Sequence, residues 1–290
     1  MRWQDERRSD NLEDQRRAIP AGAAVGGGVG TLIIVLVAIF LGADPRQVLN
    51  LLQANQRAAG PARPGAGAPA RPFSPAEEER KDFVAAILGS TEDVWNDIFR
   101  RKGRQYQKPK LVLFSRHVES ACGLASSAVG PFYCPGDEKV YLDLAFFDEL
   151  QQRFHAPGDF AQAYVVAHEI GHHVQNLLGI SEKVRARQQA LGGVEAKRLS
   201  VRLELQADFF AGVWANHVQR TRKILDSGDI EDGLRAANAI GDDTLERETQ
   251  GYVVPDSFTH GTSEQRMRWF RHGFDTGDVN QGDTFGATSL

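Results

Sequence analysis

Two histidines four residues apart, with a glutamate directly after the first, constrain this chain more than any other feature. They lie in Ala167-His168-Glu169-Ile170-Gly171-His172-His173, inside a run that opens on Pro157-Gly158-Asp159 and reaches Gly179. That run predicts one helix with a capping Asp and a terminal Gly. Positions four apart share a helix face, so His168 and His172 can direct two imidazoles at one cation. Glu169, about 100° further round the helix, is off that direction but within reach of a water the ion would hold, where it can act as general base. The flanks (Tyr164, Val165, Val166, Val174, Leu177, Leu178) are apolar. Imidazoles buried among them need a partner.

Catalytic zinc takes three protein ligands and leaves a fourth position to water, so a third ligand is expected downstream. The candidate lies in Arg202-Leu203-Glu204-Leu205-Gln206-Ala207-Asp208, within a helical stretch expected from about 195 to 222. Glu204 and Asp208 again share a face. Glu204 can ligate zinc, and Asp208 can accept the far N–H of a ligating imidazole and fix its tautomer. Leu203, Leu205, Ala207, Phe209, Phe210 and Trp214 make this helix apolar nearly all round. Two acids there want a charged partner.

The N-terminal part reads differently. Residues 1–20 carry five arginines among five acids, and an uncharged run from Ile19 to Ala43 follows. Its length suits a membrane span of about 20 residues. The charged leader and the missing small-residue cleavage site favour a retained anchor over a signal peptide. Arginines before the span put the N-terminus in the cytoplasm and the rest outside it. Residues 44–74 are rich in Ala, Gly and Pro and predict a linker. The expected organisation is therefore 1–20 cytoplasmic segment, 21–43 transmembrane anchor, 44–74 linker and 75–290 catalytic domain. A net charge of −4 argues against a nucleic-acid partner.

In the last of these regions, Ser74-Pro75-Ala76-Glu77 is a helix start with a capping box, and helix is expected over roughly 75–101 with a break near Gly89-Ser90. Lys110–Phe114 and Lys139–Leu142 read as short strands, followed by a helical segment over 143–154. Cys122 and Cys134, the only cysteines, have no nearby His and a spacing suited to a disulfide. Its loop closure would contribute about 3 kcal/mol in the chain-entropy model. Near the C-terminus, Thr259-His260-Gly261-Thr262 opens an amphipathic helix that carries Arg266. Peptide hydrolysis needs an electrophile for the oxyanion, and His260 or Arg266 could supply it.

The His-Glu-x-x-His run followed by Glu204-x-x-x-Asp208 resembles the gluzincin arrangement of zinc peptidases. More closely, the chain resembles the bacterial "putative neutral zinc metallopeptidase" family, through Cys122-Gly123, Gly130-Pro131-Phe132-Tyr133-Cys134-Pro135, Ala163 to Gln175, Glu204 to Asp208, Ala239-Ile240-Gly241-Asp242-Asp243 and Phe258 to Arg266. The resemblance implies a mostly helical α+β fold with a small sheet, zincin-like and preceded by one transmembrane helix. It implies Zn2+ as cofactor and protein or peptide as substrate. One departure stands out. Where members of the family often carry cysteines, this chain has Phe209 and Gly282. The joint absence implies a second disulfide lost as a unit, with the tail near Gly282 beside the Glu204 helix.

The expected mechanism uses zinc on His168, His172 and Glu204, Glu169 as base, Asp208 behind His168, and His260 or Arg266 at the oxyanion. Two other readings share these residues: a membrane-anchored scaffold with a structural zinc, and a zinc hydrolase of non-peptide amides.

Overall fold

The structure, a computed structural model, describes residues 1–17 and 72–290. The expected span and nearly all of the expected linker lie outside them. Among the described residues no helix is long and apolar enough to cross a membrane.

The described residues form a mostly helical unit with a small mixed sheet. Strands β1 (Leu12–Asp14), β2 (Lys110–Phe114), β6 (Lys139–Asp143) and β5 (Phe132–Cys134) lie in the order β1-β2-β6-β5. The first three run parallel, and β5 is an antiparallel edge. A separate hairpin, β3 (His117–Ser120) with β4 (Gly123–Ser126), turns at Ala121-Cys122. Cys122 is bonded to Cys134, so the expected disulfide ties the hairpin tip to the end of the edge strand.

β1 joins the N-terminal residues to the sheet. Residues 1–16 are not a segment apart from the domain, because they form one compact unit with 74–290. Leu12, Glu13 and Asp14 pair with Leu111, Val112 and Leu113. Trp3 is buried and donates from Nε1 to Asp159 at 3.1 Å. The fully buried Glu92 carboxylate accepts from Ser9 Oγ at 2.5 Å, Asn11 Nδ2 at 2.7 Å and Arg7 Nη2 at 2.7 Å. Burial pushes this carboxyl up, but Ser9, Arg7 and Asn11 outweigh it and hold Glu92 below its usual value. A buried anion satisfied mainly from residues 7–11 means that the domain is incomplete without its N-terminal segment. Charged side chains concealed this in the sequence, since they here serve a buried partner.

Among the described residues there are eight α-helices. α1 (Pro75–Arg101) starts at Ser74 with the expected capping box, in which Ser74 N donates to Glu77 Oε2 at 2.6 Å. It runs unbroken through Gly89-Ser90. Gly89 is there for close approach, because a Cβ would overlap the Arg7 carbonyl oxygen. Ser90 Oγ accepts from Trp214 Nε1 at 3.1 Å. α2 (Ala145–Gln152) follows the sheet, then α3 (Asp159–Leu177), α4 (Ile180–Leu191) and the 30-residue α5 (Gly193–Arg222). The N-cap of α3 is Gly158, with Asp159 the first helical residue and committed to Trp3. α6 (Asp229–Ala239), α7 (Asp242–Gln250) and α8 (Ser263–Thr276) complete the set.

The core is built on α5. Phe209, Val213 and Trp214 are fully buried, as the apolar composition of that helix requires. α8 lies against it backbone to backbone, since a Cβ on Gly212 would overlap the Phe270 carbonyl oxygen and one on Gly273 that of Phe209. The tail returns to the same helix: a Cβ on Gly282 would meet Phe209 Cδ1 at 2.5 Å. The two positions expected to adjoin therefore do so.

Candidate metal centre

α3 and α5 carry the residues singled out in the sequence, and a glycine lets the two helices meet. Gly171 sits between His168 and His172 on α3, and Ala207 sits between Glu204 and Asp208 on α5. A Cβ on Gly171 would lie 2.9 Å from the Ala207 carbonyl oxygen, closer than a real side chain is tolerated. The absence of that Cβ brings Glu204 across to both imidazoles. Glu204 Oε2 lies 3.1 Å from His168 Nε2, and Oε1 lies 3.5 Å from His172 Nε2. Among the described residues His168, His172 and Glu204 form a group that could hold a metal ion, with ligand atoms within 4.8 Å of one another.

The donor chemistry fits a divalent cation. Each imidazole has its Nδ1 beside an acceptor: Asp208 Oδ1 at 2.8 Å from His168, and Gln175 Oε1 at 2.9 Å from His172. With the protons on Nδ1, both Nε2 atoms keep a lone pair facing Glu204. Burial pushes His168 down, but Asp208 and Glu204 outweigh it and hold that pKa up to about 10. Burial likewise pushes Glu204 up, and the two histidines hold it well below its usual value. The pocket thus favours a carboxylate together with positive charge. A 2+ ion on neutral imidazoles supplies that charge in another form.

Asp208 is fully buried and takes four donors: Tyr164 Oη at 2.5 Å, His168 Nδ1 at 2.8 Å, Arg266 Nε at 2.8 Å and Arg266 Nη2 at 3.0 Å. Two of these donors belong to Arg266, one of the two residues expected at the oxyanion. Its guanidinium is 2 % exposed and is committed to Asp208, to Tyr164 Oη at 3.2 Å and to the Ile240 carbonyl at 3.2 Å. It is the buried counterion of Asp208. His260 differs. It is half-exposed and, like Arg266, lines the same cavity as His168, Glu169 and His172. Its Nδ1 faces Asp242 Oδ1 at 3.1 Å, and the backbone N–H groups of Thr259, His260 and Gly261 all donate to Asp242 Oδ2. Asp242 raises the pKa of His260 above its ordinary value.

The cavity measures about 590 Å³ and is walled by Phe132, Phe146, Phe154, Val184 and Leu245. One wall is fixed to α3 through His173, whose Nε2 lies 2.7 Å from the Gln107 carbonyl. A carbonyl only accepts, so Nε2 carries the proton and Nδ1 accepts from Tyr133 Oη at 3.1 Å. Sequence reasoning assigned no role to Tyr164, Gln175 or Asp242. Tyr164, one turn before His168 on the same face, was the one open to inference from helical spacing.

A histidine pair on one helix, a carboxylate from a second and an acid beside them are a donor set of the kind that zinc hydrolases use. The chain belongs to the family described as "Putative neutral zinc metallopeptidase", whose model matches residues 1–285. It is similar to an "uncharacterized protein", YpfJ, of Escherichia coli, at 48% identity over 99% of each chain. An "uncharacterized protein" of Mycobacterium tuberculosis is 44% identical over 71% of each chain. No solved structure matches.

Proposed function

We propose that this protein is a zinc-dependent endopeptidase. The observation that carries the reading is the convergence of His168 Nε2, His172 Nε2 and a Glu204 carboxylate on one point, with Glu169 lining the same cavity. Zinc held there would acidify a water and polarise the substrate carbonyl. Glu169 accepts the water's proton on its carboxylate and hands it to the departing amine. His260, oriented by Asp242, donates to the oxyanion. Tyr164, Asp208 and Arg266 hold the His168 ring in place. The apolar walls suit the side chains of an extended peptide. The metal-binding group has three members among the described residues, which supports a catalytic rather than a closed structural site. The test is metal removal: a strong chelator should abolish cleavage of an unfolded protein substrate, and stoichiometric zinc should restore it. Cleavage that survives complete loss of zinc would end the proposal.

Our reading of the compartment rests on the N-terminal segment and the disulfide. The uncharged run from Ile19 to Ala43 supports association with a bilayer, and the Cys122–Cys134 disulfide supports an oxidising compartment for the catalytic unit. Yet a chain that crossed a bilayer once between residues 17 and 72 would put β1 and β2 on opposite faces. The pairing of Leu12–Asp14 with Leu111–Leu113 argues against that, as does Arg16, which donates to the Glu77 carbonyl at 3.1 Å. Our reading therefore places residues 1–16 on the same side as 74–290. Cysteines introduced at the exposed positions Asp5 and Arg187 should react alike with a membrane-impermeant maleimide in intact cells; opposite labelling would refute it.

A further inference from the structure

His172 differs from His168 in having no carboxylate behind it. Its Nδ1 meets the side-chain amide of Gln175, which is fully buried. An amide can offer either its oxygen or its nitrogen to a neighbour, so the far end of Gln175 decides. There Nε2 lies 2.6 Å from the Leu203 carbonyl oxygen and 3.2 Å from Gln206 Oε1. A carbonyl only accepts, so the nitrogen belongs on that side and the oxygen faces His172. Nδ1 must then carry the proton, and the lone pair falls on Nε2, toward Glu204. Leu203 immediately precedes Glu204, so one amide joins both ligand-bearing helices.

Gln206 is set in turn. Its Nε2 donates to the Gly282 carbonyl at 2.7 Å, which turns its oxygen toward Gln175. The tail that supplies this carbonyl is bound to α5: buried Thr284 donates from Oγ1 to the Arg202 carbonyl at 2.6 Å, and Arg202 Nη1 donates to the Ala287 carbonyl at 3.1 Å. A continuous line of oriented groups therefore runs from Gly282 through Gln206 and Gln175 to His172.

We propose that Gln175 is the positioning residue that fixes the tautomer of His172, and that Gln206 and the C-terminal tail at Gly282 hold it in that orientation. The proposal rests on the zinc reading above but is tested without peptidase activity. In the full chain, Gln175→Met removes the acceptor at nearly constant volume. It should weaken zinc binding, measured against a chromophoric chelator, by about 10–100-fold and alter the visible spectrum of the cobalt(II)-substituted protein. Gln206→Met should act in the same direction but less, because the Leu203 carbonyl still orients Gln175. A merely structural role would lower the urea midpoint of the metal-free protein and leave zinc affinity and cobalt spectrum unchanged, and that result with Gln175→Met overturns the proposal. Should Gln175→Met not fold, an unchanged affinity and spectrum in Gln206→Met overturns it. His172→Ala is the control: undiminished zinc binding there would refute the ligand assignment, not the relay.

Discussion

Glu169→Gln will retain zinc and lose peptide hydrolysis. The substitution keeps the shape of a side chain that lines the cavity beside the candidate ligands and is 8 % exposed, and it leaves His168, His172 and Glu204 untouched. What it removes is the capacity to accept a proton. Positioned proton transfer contributes about 10²–10⁴-fold, so kcat/KM on a peptide should fall by that factor, or about 3–5 kcal/mol of transition-state stabilisation. Because the base acts twice, on the water and on the leaving amine, the fall should appear in kcat and not be confined to KM. The measurements are steady-state kinetics on one peptide and elemental zinc analysis of both proteins. Wild-type rates with zinc in place would remove Glu169 from the mechanism and return the site to a structural metal. Loss of zinc together with activity would show that Glu169 supports the ligands and leave its chemistry undecided.

The parts of this site that could be read in the sequence are those that follow helical geometry. Spacings of four put His168 with His172 and Glu204 with Asp208, and helix periodicity is insensitive to what lies elsewhere in the chain. That the two pairs face each other was open to inference only because each would otherwise be an unsatisfied polar group on an apolar helix. Local signals also located the capping box at Ser74 and the two central strands. What escaped depends on contacts between distant parts of the chain. β1 is three residues long and carries two acids, so neither length nor alternation marks it; it exists because β2 offers an edge and Glu92 collects its neighbours.

Gly89 and Ser90 misled for the same reason. Both weaken a helix in isolation, but here a distant backbone and a distant indole occupy the space they leave. The two candidates for the oxyanion could not be separated by spacing, since both lie near the start of α8. They differ in burial: the Arg266 guanidinium is bound to a fully buried carboxylate, whereas the His260 imidazole is half-exposed at the wall of the cavity that both residues line.

Asp208→Ala should be the most damaging single change to stability. Asp208 is fully buried and Arg266 is 2 % exposed, so the substitution leaves a nearly buried guanidinium, which cannot deprotonate, without its carboxylate partner. Removing one member of such a pair costs about 3–5 kcal/mol, readable as a lower urea midpoint at an unchanged m-value. Burial by itself would raise the Asp208 pKa, but Arg266 and His168 hold it at about 2, below the value of about 3.9 in an unfolded chain. A depressed pKa stabilises the fold above the unfolded value. The carboxylate's contribution is therefore complete above about pH 4 and is lost as the pH falls toward 2, while the part that acts through His168, whose pKa Asp208 helps to hold at about 10, is complete below about 6.5 and fades as the pH rises toward 10; the mutant's deficit should therefore shrink at both ends of the pH range. The ion pair itself need not be what stabilises the fold. Replacing both partners by apolar residues, as in Asp208→Leu with Arg266→Met, should recover most of the lost stability. It should not recover zinc affinity, because His168 still lacks the acceptor that holds its proton on Nδ1. If zinc affinity returned along with stability in the double mutant, Asp208 would be a packing residue, and the orientation of His168 would have to come from elsewhere.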